Sequence, residues 1–204
     1  MASCCDDGAP IPHDAIVSNL IFLLAAGVET TERVLTSTLR HLVLNPAEWE
    51  WLRANYRDTE KLSAFCAEAL RYFPPLTILV REALQDATLG EQAIKGVTRS
   101  LPSTSPETLT RPTSRTRRSS TMTDSPVPAS GSTRRAATSS LSARGAHHCV
   151  GSRLGQLEMM HPFTQLLDRV GRIEAVGELP VGIGFFLHSP PTLPVTLHPV
   201  ELTS

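Results

Sequence analysis

Three short stretches carry residue types whose spacing could do chemistry. In Gly145-Ala146-His147-His148-Cys149-Val150-Gly151 a cysteine stands just before the helical run 154–160. A thiolate at a helix N-terminus meets free backbone N–H groups and the positive end of the helix dipole, which lower the thiol pKa and can donate to sulfur. Such a position suits a metal ligand. Glycines at 145 and 151 would let the backbone turn tightly and approach a flat cofactor with no Cβ in the way. The alternative is a small buried cysteine beside a flexible turn. Zinc is a poorer match, because His147, His148 and Cys149 are too crowded for a tetrahedral site and no second ligand pair stands out.

The second stretch, Ala26-Gly27-Val28-Glu29-Thr30-Thr31, interrupts an apolar helix with an acid and two hydroxyls. An ionisable group inside a central helix is costly unless solvated or paired, which implies a cavity. Glycine at 27 thins the helix wall, and Thr30 can bond back to a carbonyl one turn earlier, making room for a small ligand and water. The other reading is that the helix reaches the surface here and begins a polar stretch with Glu32 and Arg33. The third stretch, Glu68-Ala69-Leu70-Arg71, sets opposite charges at i and i+3 on one helix face. Exposed pairs of this kind are weak. Phe65, Leu70 and Tyr72 close by, with Pro74-Pro75 ending the helix, favour a buried pair that needs further hydrogen bonds to offset desolvation.

The elements that must position these residues follow from the rest of the chain. Residues 1–11 read as a flexible leader. Pro12-His13-Asp14 offers a helix start with Asp14 as N-cap, and no proline interrupts residues 15–44. Such a rod would be roughly 45 Å long. Its first half is apolar nearly all round, which predicts a buried, central helix. Asn45-Pro46 starts a second helix over 47–55, a third spans 60–72, and strands and turns are expected over 76–84 and 87–97. A helix is expected again over 150–170, followed by extended pieces near 183–187 and 193–197.

Between these parts the composition changes. Residues 99–144 hold 21 Ser or Thr, eight Arg, two acids and no aromatic ring, in a chain of 204 residues whose formal net charge is -1. Neither helix nor strand periodicity survives there, so this segment reads as disordered. The expected organisation is therefore a leader (1–11), a helical part leading into a β region (12–98), a low-complexity segment (99–144), and a cysteine loop with its helix and C-terminal β pieces (145–204). A hydrophobic share of 41% excludes a wholly disordered or collagen-like chain, and the charge balance gives no global reason to expect nucleic-acid binding. Four cysteines in no paired framework fit the cytoplasm. The apolar run 16–28 lacks the flanks of a signal peptide and meets Glu29 before reaching the ~20 residues of a membrane span. Membrane and nucleic acid are thus not expected partners.

The three stretches in this order resemble the cytochrome P450 family, most nearly its soluble bacterial branch. The likeness extends to Leu79-Val80-Arg81-Glu82-Ala83, to Cys149-x-Gly151-x-x-Leu154-x-x-x-Glu158 and to Leu193-Pro194-Val195. It covers residues 12–98 and 145–199, the C-terminal half of such an enzyme, and implies a mainly α fold with minor β, incomplete at this length. The resemblance implies that Cys149 is the axial thiolate of heme b (iron protoporphyrin IX). Gly145 and Gly151 then shape the cysteine loop, and His147 and Arg81 hold the heme propionates. Glu29 and Thr30 become the acid and alcohol that relay protons to dioxygen. Glu68 and Arg71 become a structural ion pair. The implied reaction is insertion of one oxygen atom into a small organic substrate, with electrons from a ferredoxin-type donor and its reductase. The alternative is a non-catalytic remnant that binds heme weakly or not at all.

The sequence departs from the family pattern at specific places. Ser142 and Ala143 stand where the pattern calls for Phe and Gly, and residues 99–144 contain no aromatic-Pro-Arg element. Abrupt boundaries and a Ser/Thr/Arg/Pro vocabulary predict a compensated reading-frame shift between about 98 and 145. Translating the coding DNA in its other two frames tests this: neither frame restoring apolar strands and a Phe-Gly pair would refute it. The competing expectation is a basic, phosphorylatable insert with an anion-binding patch at 115–120.

Overall fold

The computed structural model describes residues 5–6, 9–100, 148–184 and 189–200. Gly145 and His147, and nearly all of the low-complexity segment, lie outside the described residues. Among those described, the chain is mainly helical: α1 (His13–Leu44), α2 (Pro46–Asn55), α3 (Thr59–Tyr72) and α4 (Ser152–Arg169). The strands form four two-stranded antiparallel sheets: β1 (Cys5–Asp6) with β2 (Ala9–Pro10), β3 (Arg81–Glu82) with β6 (Arg99–Ser100), β4 (Ala87–Leu89) with β5 (Gln92–Ile94), and β7 (Val170–Ala175) with β8 (Val195–Pro199).

Helix boundaries follow local chemistry. Asp58 caps α3, its Oδ1 accepting from the backbone N–H groups of Glu60 and Lys61 at 3.0 and 3.2 Å, which satisfies two of the donors a helix start leaves open. Pro46 sits in the first turn of α2, where a missing N–H costs nothing. Two expected caps differ. The flanking residue of α1 is Pro12, without a side-chain cap bond, and Asp14 lies inside the first turn. Asn45 does not cap α2 with its side chain; its Nδ2 donates back to the His41 carbonyl at 2.8 Å.

The core gathers the C-terminal half of α1 (Val34, Leu42), α2 (Trp49, Leu52), α3 (Leu62, Phe65, Cys66, Ala69) and α4 (Met159, Phe163, Leu167). Phe65 and Phe163 meet edge to face at 5.7 Å between ring centroids, a geometry worth about 1 kcal/mol beyond the buried area. The sheet β7–β8 is tied in through α2: Trp49 Nε1 donates to the Gly171 carbonyl at 3.1 Å, and the Arg53 guanidinium donates to the carbonyl of Val170.

The N-terminal half of α1, expected to be a central helix, is not covered by the described residues of this chain. Ile21, Phe22 and Leu24 are 63, 69 and 68% exposed, and Ile16, Val17, Leu20, Leu23 and Val28 are exposed as well. The buried positions of α1 begin only at Val34. By length and composition α1 is apolar and long enough to cross a membrane, a test that the core helix of a soluble protein also passes. Two smaller differences concern strands. β7 starts directly at the end of α4, without an intervening turn, and was not expected. Arg99 and Ser100, assigned by composition to the low-complexity segment, pair with Glu82 and Arg81, and Arg99 Nε donates to Glu82 Oε2 at 2.8 Å.

Candidate functional site

Cys149 is exposed and lies just before α4. Its carbonyl accepts from Ser152 N at 3.2 Å, and the Gly151 carbonyl from Gly155 N at 2.8 Å, so the loop passes directly into the first helical turn. Gly151 flanks that turn without a side-chain cap bond, and no acidic residue occupies it. The open N–H groups there favour an anion beside them. A Cβ at position 151 would stand 3.9 Å from Cys149 Sγ. Cys149 is thus exposed and not buried, in contrast to Cys66 inside α3, whose thiol burial pushes up to about 12.

On α1, Thr30 Oγ1 donates to the Ala26 carbonyl one turn earlier at 2.7 Å, the back-bond expected of it. Apart from its own helix backbone and chain neighbours, no described atom lies within 4 Å of where a Cβ on Gly27 would stand. Glu29 is both solvated and paired, its side chain 51% exposed and its Oε1 3.5 Å from Arg33 Nη2. A cleft of about 440 Å³ runs beside this stretch, lined by Leu23, Leu24, Gly27, Val28, Thr31 and Glu158 among others. Thr31 and Glu158 are thus the polar residues that join the notch to α4, with Thr31 Oγ1 donating to Glu158 Oε2 at 3.1 Å. Neither was named as a site residue from sequence. Thr31 closes the second stretch and Glu158 ends the cysteine motif, but no local pattern joins the two.

Glu68 and Arg71 meet as a two-pronged ion pair: Nε to Oε2 at 2.9 Å and Nη2 to Oε1 at 2.6 Å, with the two side chains 12 and 32% exposed. The Glu68 hydrogen bond raises the Arg71 pKa above its ordinary value, with burial acting the other way and the Glu68 and Tyr72 charges adding to the rise. Arg81 is exposed on β3, its Nη1 donating to the Val80 carbonyl at 2.8 Å. Among the described residues no hydrogen bond or ion pair links Cys149, Glu29, Thr30 and Arg81 to one another. No group of three or more His, Cys, Asp or Glu there could hold a metal ion. A thiolate-ligated heme needs only one cysteine and no such cluster, and an exposed cysteine at a helix start, side-chain-free space at Gly27 and an exposed guanidinium fit that group in kind.

Helix order, paired short strands and a cysteine leading into α4 define a chain of the cytochrome P450 fold, and its sequence relatives belong to that family. The chain is 30% identical over 169 residues to linalool 8-monooxygenase of Pseudomonas putida, covering 82% of this chain and 38% of that protein. It is 26% identical over 197 residues to cytochrome P450 NovI of Streptomyces niveus, covering 97% of this chain and 45% of that one. Substrate-free CYP109E1 from Bacillus megaterium superposes with a TM-score of 0.77 at 24% identity, over 95% of this chain and 48% of that chain. The chain spans less than half the length of these relatives. No protein-family model matches it.

Proposed function

We propose that this chain carries the heme-thiolate part of a cytochrome P450 monooxygenase acting in the cytoplasm. The observation that carries the reading is Cys149, exposed at the uncapped start of α4, on a helix bonded to the Gly27–Thr31 notch of α1. When bound, heme b supplies the activation of dioxygen for insertion of one oxygen atom into a small organic substrate, with electrons from a ferredoxin-type donor and its reductase. Cys149 holds the iron. Arg81, together with His147 outside the described residues, holds the propionates. Glu29, exposed to solvent, takes up protons, and Thr30 passes them inward when its hydroxyl turns from the Ala26 carbonyl. Gly151, and Gly145 outside the described residues, would keep side chains off the cofactor face. Glu68 and Arg71 brace α3.

Reconstitution with hemin, followed by reduction under carbon monoxide, tests this reading. A thiolate-type Soret band lost in Cys149→Ser supports it; hemin uptake that ignores the substitution defeats it. A second reading, a non-catalytic remnant that binds heme weakly or not at all, is favoured by the exposed apolar half of α1. It predicts a weak Soret band or none from the folded chain.

A further inference from the structure

The first two turns of α4 carry two polar side chains that reach different helices. Gln156 Nε2 donates to Ser63 Oγ on α3 at 2.8 Å, and Glu158 Oε2 accepts from Thr31 Oγ1 on α1 at 3.1 Å. Ser63 is buried; Thr31, Gln156 and Glu158 are half-buried. Thr31 is the one hydrogen-bond partner of Glu158 among the described residues. A half-buried carboxylate is costly to leave without donors, and a hydroxyl-to-carboxylate bond is charge-assisted. Farther along α4, Met159, Phe163 and Leu167 pack into the core. Apolar packing is non-directional and tolerates small rotations of a helix about its axis. The bonds at 156 and 158 do not, because each requires one side chain to meet one partner on a separate helix. Both lie within nine residues of Cys149, whose loop is bonded into the start of the same helix.

We propose that Gln156 and Glu158 are positioning residues that clasp α4 to α3 and α1, and so set where Cys149 stands relative to the Gly27–Thr30 notch. The consequence for heme rests on the reading of Cys149 above, whereas the clasp itself does not. Hydrogen exchange of the full chain, free of hemin, tests the clasp. Glu158→Ala should speed amide exchange in peptides spanning 150–158 by about tenfold, the loss expected for a bond to a charged group, while α2 exchanges as before. Glu158→Gln keeps an acceptor oxygen for Thr31 and should restore most of the protection. Thr31→Val, which removes the donor at constant shape, should match Glu158→Ala and serves if that variant does not fold. Unchanged exchange at 150–158, or an equal rise in α2, overturns the clasp.

Hemin uptake then tests its consequence. The part of the Soret signal that depends on Cys149 should fall in Glu158→Ala and return in Glu158→Gln. Equal Cys149-dependent signals in all three proteins overturn the positioning role. Wild-type protein that takes up hemin no differently from Cys149→Ser defeats the heme reading instead, and leaves the exchange result to judge the clasp.

Discussion

The two cysteines whose environments are defined behave oppositely because of where their side chains end. Cys66 is 1% exposed in the α3 face of the core, and burial raises its thiol from 9.0 to about 12. Since only the thiolate reacts, alkylation of the native chain at pH 8 should label Cys149 and spare Cys66 until the protein is unfolded, as peptide mass mapping would show. The same shift has a stability sign. Below pH 9 both states hold the proton and the contribution is complete. Between pH 9 and 12 the unfolded chain releases the proton while the native core keeps it, so stability falls by at most ~1.4 kcal/mol per pH unit. Cys66→Ala should flatten that part of the pH profile in urea titrations. Glu68 and Arg71 were legible as a pair from their i, i+3 spacing alone. Their partly buried setting was legible too, from Phe65, Leu70, Tyr72 and the Pro74-Pro75 stop, and the Glu68 and Arg71 side chains are 12 and 32% exposed. Glu68→Ala strands a partly buried guanidinium and should cost about 1–3 kcal/mol, read as a lower urea midpoint. Arg71→Lys should recover little of the pairing, since an ammonium cannot reproduce the two-pronged contact.

At the scale of elements, the sequence disclosed helices more readily than strands or long-range bonds. The absence of proline from 15 to 44, Pro46 at the start of α2 and the Pro74-Pro75 stop are local signals, and α1, α2 and α3 fall where they point. β7 was missed because Val170-Gly171-Arg172-Ile173-Glu174-Ala175 follows α4 with no turn residue between, and strand identity there comes from its partner β8, over twenty residues away. The Thr31–Glu158 bond joins residues 127 apart, so no local pattern could reveal it. The Asp58 cap is itself a local signal, an acid directly before the first helical residue of α3. Removing it gives a clean prediction for α3: Asp58→Ala should cost about 1 kcal/mol, whereas Asp58→Asn, which still accepts from the N–H groups of Glu60 and Lys61, should cost a few tenths. Urea midpoints for the two variants check the difference; equal losses would show that charge and not capping holds the helix start.

At the scale of the whole molecule, the decisive contrast lies within one helix. From Val34 onward α1 is packed by α2, α3 and α4, yet its first four turns present apolar side chains to solvent on every side. Hydropathy reports that a segment gains by burial, and it carries no information about whether the chain itself supplies the surface that buries it. That is why the extent of α1 was readable and its environment was not. The chain's span of less than half of its relatives places the same question on the fold as a whole. An apolar helical face of this size, left uncovered, should drive association of the isolated chain at micromolar concentration and bind a hydrophobic dye. Ile21→Glu combined with Leu24→Glu interrupts the face at two positions that are 63 and 68% exposed, so the folded core loses no packing. The double variant should sediment as a smaller species and bind less dye, with its unfolding midpoint shifted by no more than about 0.5 kcal/mol per substitution. Sedimentation velocity at matched concentrations decides: identical profiles for the two proteins would mean that residues 16–28 are not the surface through which the chain associates. A variant that unfolds outright would mean instead that this half of α1 is packed in solution.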